Sequence, residues 1–225
     1  MSKKKKKSSQ RRTSQASRKP APAPKKSKTP LILGICGACL VVAIILAVVL
    51  WPKSELGANE RYYATIDIRD YGTITVELDH TAAPITVENF VKLARSGFYN
   101  GLTFHRIIEG FMMQGGAPAT EADKADTIEG EFSANGHQNS IKHERGVISM
   151  ARANDPNSAN SQFFIMHADK THLDGQYAAF GHVVEGIEVV DAVCEAAKPT
   201  DGNGTIPKAE QPVINSITIS IRPAS

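Results

Sequence analysis

Arg106 and Gln114 lie eight residues apart in Phe104-His105-Arg106-Ile107-Ile108-Glu109-Gly110-Phe111-Met112-Met113-Gln114, a run whose other members are mostly large and apolar. A second run, Ser161-Gln162-Phe163-Phe164-Ile165-Met166, repeats the pattern of an amide among hydrophobes. An Arg inside an apolar strand is more often the buried partner of an acid than a catalyst. Here, however, Phe111, Met112, Phe164 and Leu173 can form an apolar pocket, and Gln114 and Gln162 can supply amide hydrogen bonds at its edge. An apolar pocket with a few fixed polar groups is what a ligand site needs. Phe163 and Phe164 point to opposite faces of a strand, so only Phe164 can join the site and Phe163 belongs to the core.

Other chemistries find little support. No Gly-x-Ser-x-Gly elbow and no coherent triad spacing is present, which argues against a serine hydrolase. The seven histidines (His80, His105, His137, His143, His167, His172, His182) contain no His-x-x-x-His pair and lie near no cysteine cluster, so no metal site is expected. Cys36 and Cys39 have redox spacing but sit inside an unbroken apolar run, where a thiolate is costly to desolvate. Cys194 alone lies downstream, so the body has no internal disulfide.

The net charge of +3 conceals a split. Residues 1–30 carry 12 of the 26 Lys and Arg and no acid, which leaves 14 basic against 23 acidic residues, a net of −9, in the rest. An acidic body is a poor candidate for nucleic-acid binding. The basic segment has almost nothing to bury and is expected to be a disordered tail. Residues 31–51 form an uncharged stretch of 21 residues ending in Trp51 and followed by Pro52. About 20 apolar residues span a ~30 Å hydrocarbon layer, so this reads as one transmembrane helix. Basic residues crowd its N-terminal side, which places the tail in the cytoplasm and the body outside it. A cleaved signal peptide would have a shorter apolar region, ~7–15 residues, and a small-residue cleavage site; neither is found. Residues 52–60 read as a polar linker, and residues 61–225 as one domain.

Within that domain, residues 65–68 and 73–78 alternate apolar with polar and flank Tyr71-Gly72, which predicts a hairpin. Pro84 opens a helical pattern through 96, with Gly97 after it. Short β-like runs follow at 102–108, 111–114, 146–151, 162–166 and 178–184, then a helix at 187–197 and a closing strand at 213–221. Many short strands with two helices predict a mostly β fold, a closed barrel capped by helices.

The run from Tyr99 to Gly116 resembles the cyclophilins, which are peptidyl-prolyl cis/trans isomerases. So do Gly146-Val147-Ile148-Ser149-Met150-Ala151-Arg152, Ser161 to Ile165, Leu173-Asp174-Gly175 and Phe180-Gly181; the likeness covers about residues 61–221. Asp155-Pro156-Asn157-Ser158-Ala159 is similar to bacterial members. The resemblance implies a closed eight-stranded antiparallel barrel and an isomerase acting on proline-containing peptides and unfolded proteins, without a cofactor and as a monomer; the expected anchor makes secreted proteins its clients. It implies Arg106 as the catalytic cation. Phe111, Met112, Phe164 and Leu173 would hold the proline, and Tyr177 would close its pocket. Gln114 and the backbone at Ala151 and Arg152 would bind the flanking peptide, Gln162 would support Arg106, and His105 would sit beside the site. Many eukaryotic members have Trp where His172 stands, an indole linked to cyclosporin binding, so weak cyclosporin affinity is implied. The acidic segment 117–129 replaces a glycine-rich loop and bears on the preference for residues before the proline. The alternative reading is a proline-peptide binding module with little turnover, tethered at the membrane.

Overall fold

The computed structural model describes residues 56–57 and 60–223. The expected tail and transmembrane segment, 1–30 and 31–51, lie outside these residues; among the described ones no helix is long and apolar enough to cross a membrane. Eight strands and two α-helices follow in the order β1 (Glu60–Ile68), β2 (Gly72–Leu78), α1 (Pro84–Arg95), β3 (Phe104–Ile108), β4 (Met112–Gly115), β5 (Val147–Met150), β6 (Phe163–Met166), β7 (Ala179–Glu185), α2 (Ile187–Ala196) and β8 (Ile214–Pro223). All pair antiparallel in one sheet of order β3-β4-β6-β5-β7-β2-β1-β8.

The expectation of a closed barrel holds for strand number and sense. The outer strands β3 and β8 do not share a ladder, though. They touch at one bridge, Thr103 to Val213, flanked by hydrogen bonds from Phe104 N–H to the Pro212 carbonyl (2.9 Å) and from Ile214 N–H to the Leu102 carbonyl (2.8 Å). The contact lies just before each strand begins, so the structure shows a curled sheet pinned at one point. The β1–β2 turn also falls earlier than expected, at 69–71. Asp70 takes a left-handed φ of 66°, which its short polar side chain tolerates, and Gly72 opens β2. Leu56, in the expected linker, is buried against the domain.

Alternation on the strands divides the apolar residues between two clusters. Ile107, Met113, Ile148, Phe163 and Ile165 join the main core with Phe90 and Val91 of α1 and Val190 and Val193 of α2. Met112, Val147, Phe164, Met166 and Ala179 form a smaller cluster with Leu173, against which Phe111, Ala151 and Tyr177 pack. Phe163 is fully buried in the first and Phe164 lies in the second, as period-two geometry requires.

Candidate active site

Strand register places Arg106 of β3 opposite Gln114 of β4, Gln114 opposite Phe164 of β6, and Phe164 opposite Ser149 of β5. Four residues from four strands therefore form one row across the sheet. Arg106 Nη1 donates to Gln114 Oε1 at 3.3 Å, and Gln114 Nε2 donates to Gln162 Oε1 at 3.0 Å. Arg106 Nε donates to the Asn203 carbonyl at 2.7 Å. Two of the five guanidinium donors are thus engaged, and the others remain for whatever occupies the adjacent cavity.

That cavity, of about 120 Å³, is lined by Arg106, Phe111, Met112, Gln114, Ala151, Arg152, Phe164, Leu173 and Tyr177. Phe111 sits at the β3–β4 turn, where Gly110 adopts φ 71°. The turn is tied down by Gly110 N–H donating to His167 Nδ1 (2.9 Å) and by His167 N–H donating to the Phe111 carbonyl (2.9 Å). The Phe111 ring lies 5.9 Å from the Arg106 guanidinium carbon. Phe164 and Tyr177 meet edge to face at 5.7 Å, a favourable aromatic geometry. Arg152 lies 4.8 Å from the Tyr177 ring centre and 5.0 Å from that of Phe132, and donates to the carbonyls of Gln176 and Ala153. Its charge braces the loops around the cavity.

Nine of the eleven expected residues line this one cavity. Gln162 stands behind Gln114 and faces a second cavity, of about 350 Å³, with Lys124, Thr127, Ser158 and Asn160. His105 does not line the first cavity. It is the extra residue of a β-bulge, since two steps on β3 from Phe104 to Arg106 match one step on β4 from Gly115 to Gln114. Burial and the neighbouring Arg106 charge push its pKa below the usual histidine range.

Two contributors, His143 and Asn203, had no sequence signal. His143 is buried behind Phe164, stacked on its ring at 6.0 Å. A neutral His143 satisfies both neighbours: Nδ1–H donates to Asp174 at 3.2 Å, and Nε2 accepts from the Ser149 hydroxyl at 3.1 Å. Burial lowers the His143 pKa despite the Asp174 carboxylate. Burial alone would raise the Asp174 pKa, but the His143 backbone N–H, its ring and Lys142 bring it below the ordinary value. Because Asp174 follows Leu173 and Ser149 lies on β5, this pair couples the Leu173 side of the cavity to that strand. Asn203 acts through its carbonyl, which every residue has, and so leaves no mark in residue type. Among the described residues no group of three or more His, Cys, Asp or Glu is placed to hold a metal.

The arrangement offers a fixed cation beside a small chamber walled by Phe111, Met112, Phe164 and Leu173, with amides at its rim. A family model for the cyclophilin type peptidyl-prolyl cis-trans isomerases matches residues 63–219. Over 129 residues the chain is 46% identical to peptidyl-prolyl cis-trans isomerase A of Dickeya dadantii, covering 55% of this chain and 67% of that one. Over 162 residues it is 39% identical to a peptidyl-prolyl cis-trans isomerase of Acinetobacter baylyi, covering 68% and 84%. A Cryptosporidium parvum cyclophilin type isomerase, solved in the presence of the dipeptide Ala-Pro, superimposes with a TM-score of 0.60 at 29% identity, over 70% of this chain and 98% of that one.

Proposed function

Because the chain belongs to the cyclophilin family and is a peptidyl-prolyl cis-trans isomerase, we propose that turnover takes place in the Arg106 cavity and that the domain works on secreted proteins outside a bacterial cytoplasmic membrane. The observation that carries the site is the juxtaposition of Arg106, held at Nε and Nη1, with a chamber of about 120 Å³ walled by Phe111, Met112, Phe164 and Leu173. The Ala-Pro dipeptide named with the related structure is a ligand of the corresponding chemistry.

A prolyl bond turns over a barrier of about 18–20 kcal/mol that comes from amide resonance. Twisting the bond breaks that resonance and leaves the proline nitrogen pyramidal and basic. A donor aimed at this nitrogen stabilises the twisted state more than either planar one, which is what accelerates the reaction. Arg suits the task because it stays charged and presents its donors in a rigid fork. The apolar walls fix the ring, so that the flanking chain rotates relative to it. Gln114 and the backbone at Ala151 and Arg152 hold that chain, which runs toward the second cavity, and Gln162 supports Gln114.

The location rests on residues 31–51, uncharged and long enough to span a bilayer, with twelve basic residues before them. Isomerisation of an X-Pro peptide by the full chain, wild type against Arg106→Ala, tests the site. A fall of roughly 10²-fold or more with the fold retained is expected. Full turnover in the variant would remove Arg106 from the mechanism, and a folded wild type that binds the peptide without turning it over would be a binding module. Membrane pelleting that survives alkaline wash, and its loss on deleting 31–51, tests the anchor.

A further inference from the structure

Arg106 Nε is held by a main-chain carbonyl in a segment whose composition should make it pliable. Asn203 lies between Gly202 and Gly204 on an exposed loop, and glycine carries the largest backbone entropy to lose. On its downstream side the loop is fastened to β3. Ile107 N–H donates to the Gly204 carbonyl at 2.8 Å, Ile206 N–H donates to the His105 carbonyl at 3.0 Å, and Thr205 bridges Arg106. Gly204 is required for that approach: its φ is 84°, and a Cβ there would lie 2.6 Å from the Ile107 carbonyl oxygen.

On the upstream side the tie is a carboxylate. Asp201 Oδ1 accepts from the N–H groups of Asn203 (3.0 Å) and Thr205 (3.1 Å), and Oδ2 accepts from the Thr205 hydroxyl (2.9 Å). Thr200 adds its own N–H to the Thr205 carbonyl at 2.9 Å. Asp201 is exposed, so these bonds do not serve to satisfy a buried charge. Their effect is to close the loop around Asn203 and fix where its carbonyl points.

We propose that Asp201 is a positioning residue for catalysis: it sets the Asn203 carbonyl that locks the Arg106 side chain, and so fixes the direction of the remaining guanidinium donors. This rests on Arg106 being the catalytic cation. Binding of the proline ring depends on the apolar walls, which Asp201 does not touch, so the effect falls on turnover and not on substrate affinity. Small misplacement of a catalytic group can cost up to about 10²-fold.

The test uses the full chain, with kcat and KM for an X-Pro peptide from exchange NMR and the Arg106 Nε–H resonance assigned by its absence in Arg106→Ala. Asp201→Ala should lower kcat roughly 5- to 20-fold with KM within about twofold, and shift or broaden the Nε–H signal. Asp201→Asn keeps an oxygen for the two backbone N–H groups and should recover turnover to within about threefold of wild type. In an Arg106→Ala background, Asp201→Ala should cost nothing more. An unchanged kcat or an unchanged Nε–H signal in Asp201→Ala overturns the proposal, as does an equal loss in the Arg106→Ala background. If Arg106→Ala itself keeps full turnover, the reading beneath the proposal fails; if Arg106→Ala is inactive and Asp201→Ala is wild type, only the role of Asp201 fails.

Discussion

Gln114 bonds on one side to the guanidinium of Arg106, accepting from Nη1 at 3.3 Å, and on the other to Gln162, donating at 3.0 Å. It therefore orients the cation and keeps its own amide turned so that the oxygen faces the charge. Gln114→Ala removes one of two restraints on Arg106 and should lower kcat/KM about tenfold. Gln114→Glu keeps the reach but adds a charge that pairs with Arg106, so the guanidinium is held more tightly and shares less of its field with a prolyl nitrogen. Its kcat should fall while the strand ladder, followed by thermal melting, stays intact. Wild-type turnover in Gln114→Glu would show that the Arg106 charge is not limiting.

His172 is exposed, and its ring centre lies 6.2 Å from that of Phe111, which lines the cavity. An imidazole there is smaller than an indole and lacks its donor at the same reach. Weak binding of cyclosporin is expected by calorimetry. His172→Trp should tighten it at least tenfold with little change in turnover. A tight complex with the wild type would show that the ring at this position does not govern the affinity.

The strand pattern was readable from sequence because alternation and turns are local. Ile66 and Ile68, then Ile74, Val76 and Leu78, mark the buried face of β1 and β2 without any tertiary knowledge, and the same rule separates Phe163 from Phe164. Arg106, Gln114 and Phe164 stood out as side chains whose type conflicts with, or repeats along, an apolar strand. The position of His105 did not, since a bulge is a pairing irregularity that one strand's sequence does not announce. Nor did the contact between β3 and β8, which depends on curvature accumulated over eight strands. His143 with Asp174, and Asn203 with Arg106, join segments 31 and 97 residues apart, and no periodicity encodes such distances.

The start of α1 lacks a cap of its own: Ala83 precedes it and has no side-chain acceptor. Glu131, buried and 45 residues beyond Thr86, fills the role. Its carboxylate accepts from the N–H groups of Ile85 (3.0 Å) and Thr86 (2.7 Å) and from the Thr86 hydroxyl (2.7 Å). A carboxylate at a helix N-terminus also meets the positive end of the helix dipole. Glu131→Ala strands these donors and should cost about 2–3 kcal/mol. For a domain of this size that corresponds to roughly 5–10 °C in Tm. Because Phe90 and Val91 of α1 pack in the main core and not in the cavity, kcat of the folded fraction should remain near wild type. A Tm within about 2 °C of wild type would show that water or another acceptor replaces the carboxylate.

The buried His143 gives stability a definite pH dependence. Its pKa in the folded chain is held below the ordinary value of about 6.5 by burial, so the unfolded chain takes up a proton where the folded one does not. Stability from this group is then complete above about pH 6.5 and declines as pH falls from there toward the lowered folded value. His105 is shifted the same way, by burial and by Arg106, and adds to the decline. Asp174, whose carboxyl lies below its ordinary value, contributes in a separate window, lost only as pH falls below about 4. Denaturant midpoints measured from pH 8 to pH 5 should therefore be flat above about pH 7 and fall below about pH 6.5. In His143→Gln the overall midpoint should be lower, because Phe164 loses its stacking partner and Ser149 its acceptor, but the slope between pH 7 and pH 5 should shrink toward the part that His105 supplies. A slope unchanged in His143→Gln would mean that His143 protonates equally in the folded and unfolded chains, and that the ring behind Phe164 is not the neutral hinge between Asp174 and Ser149.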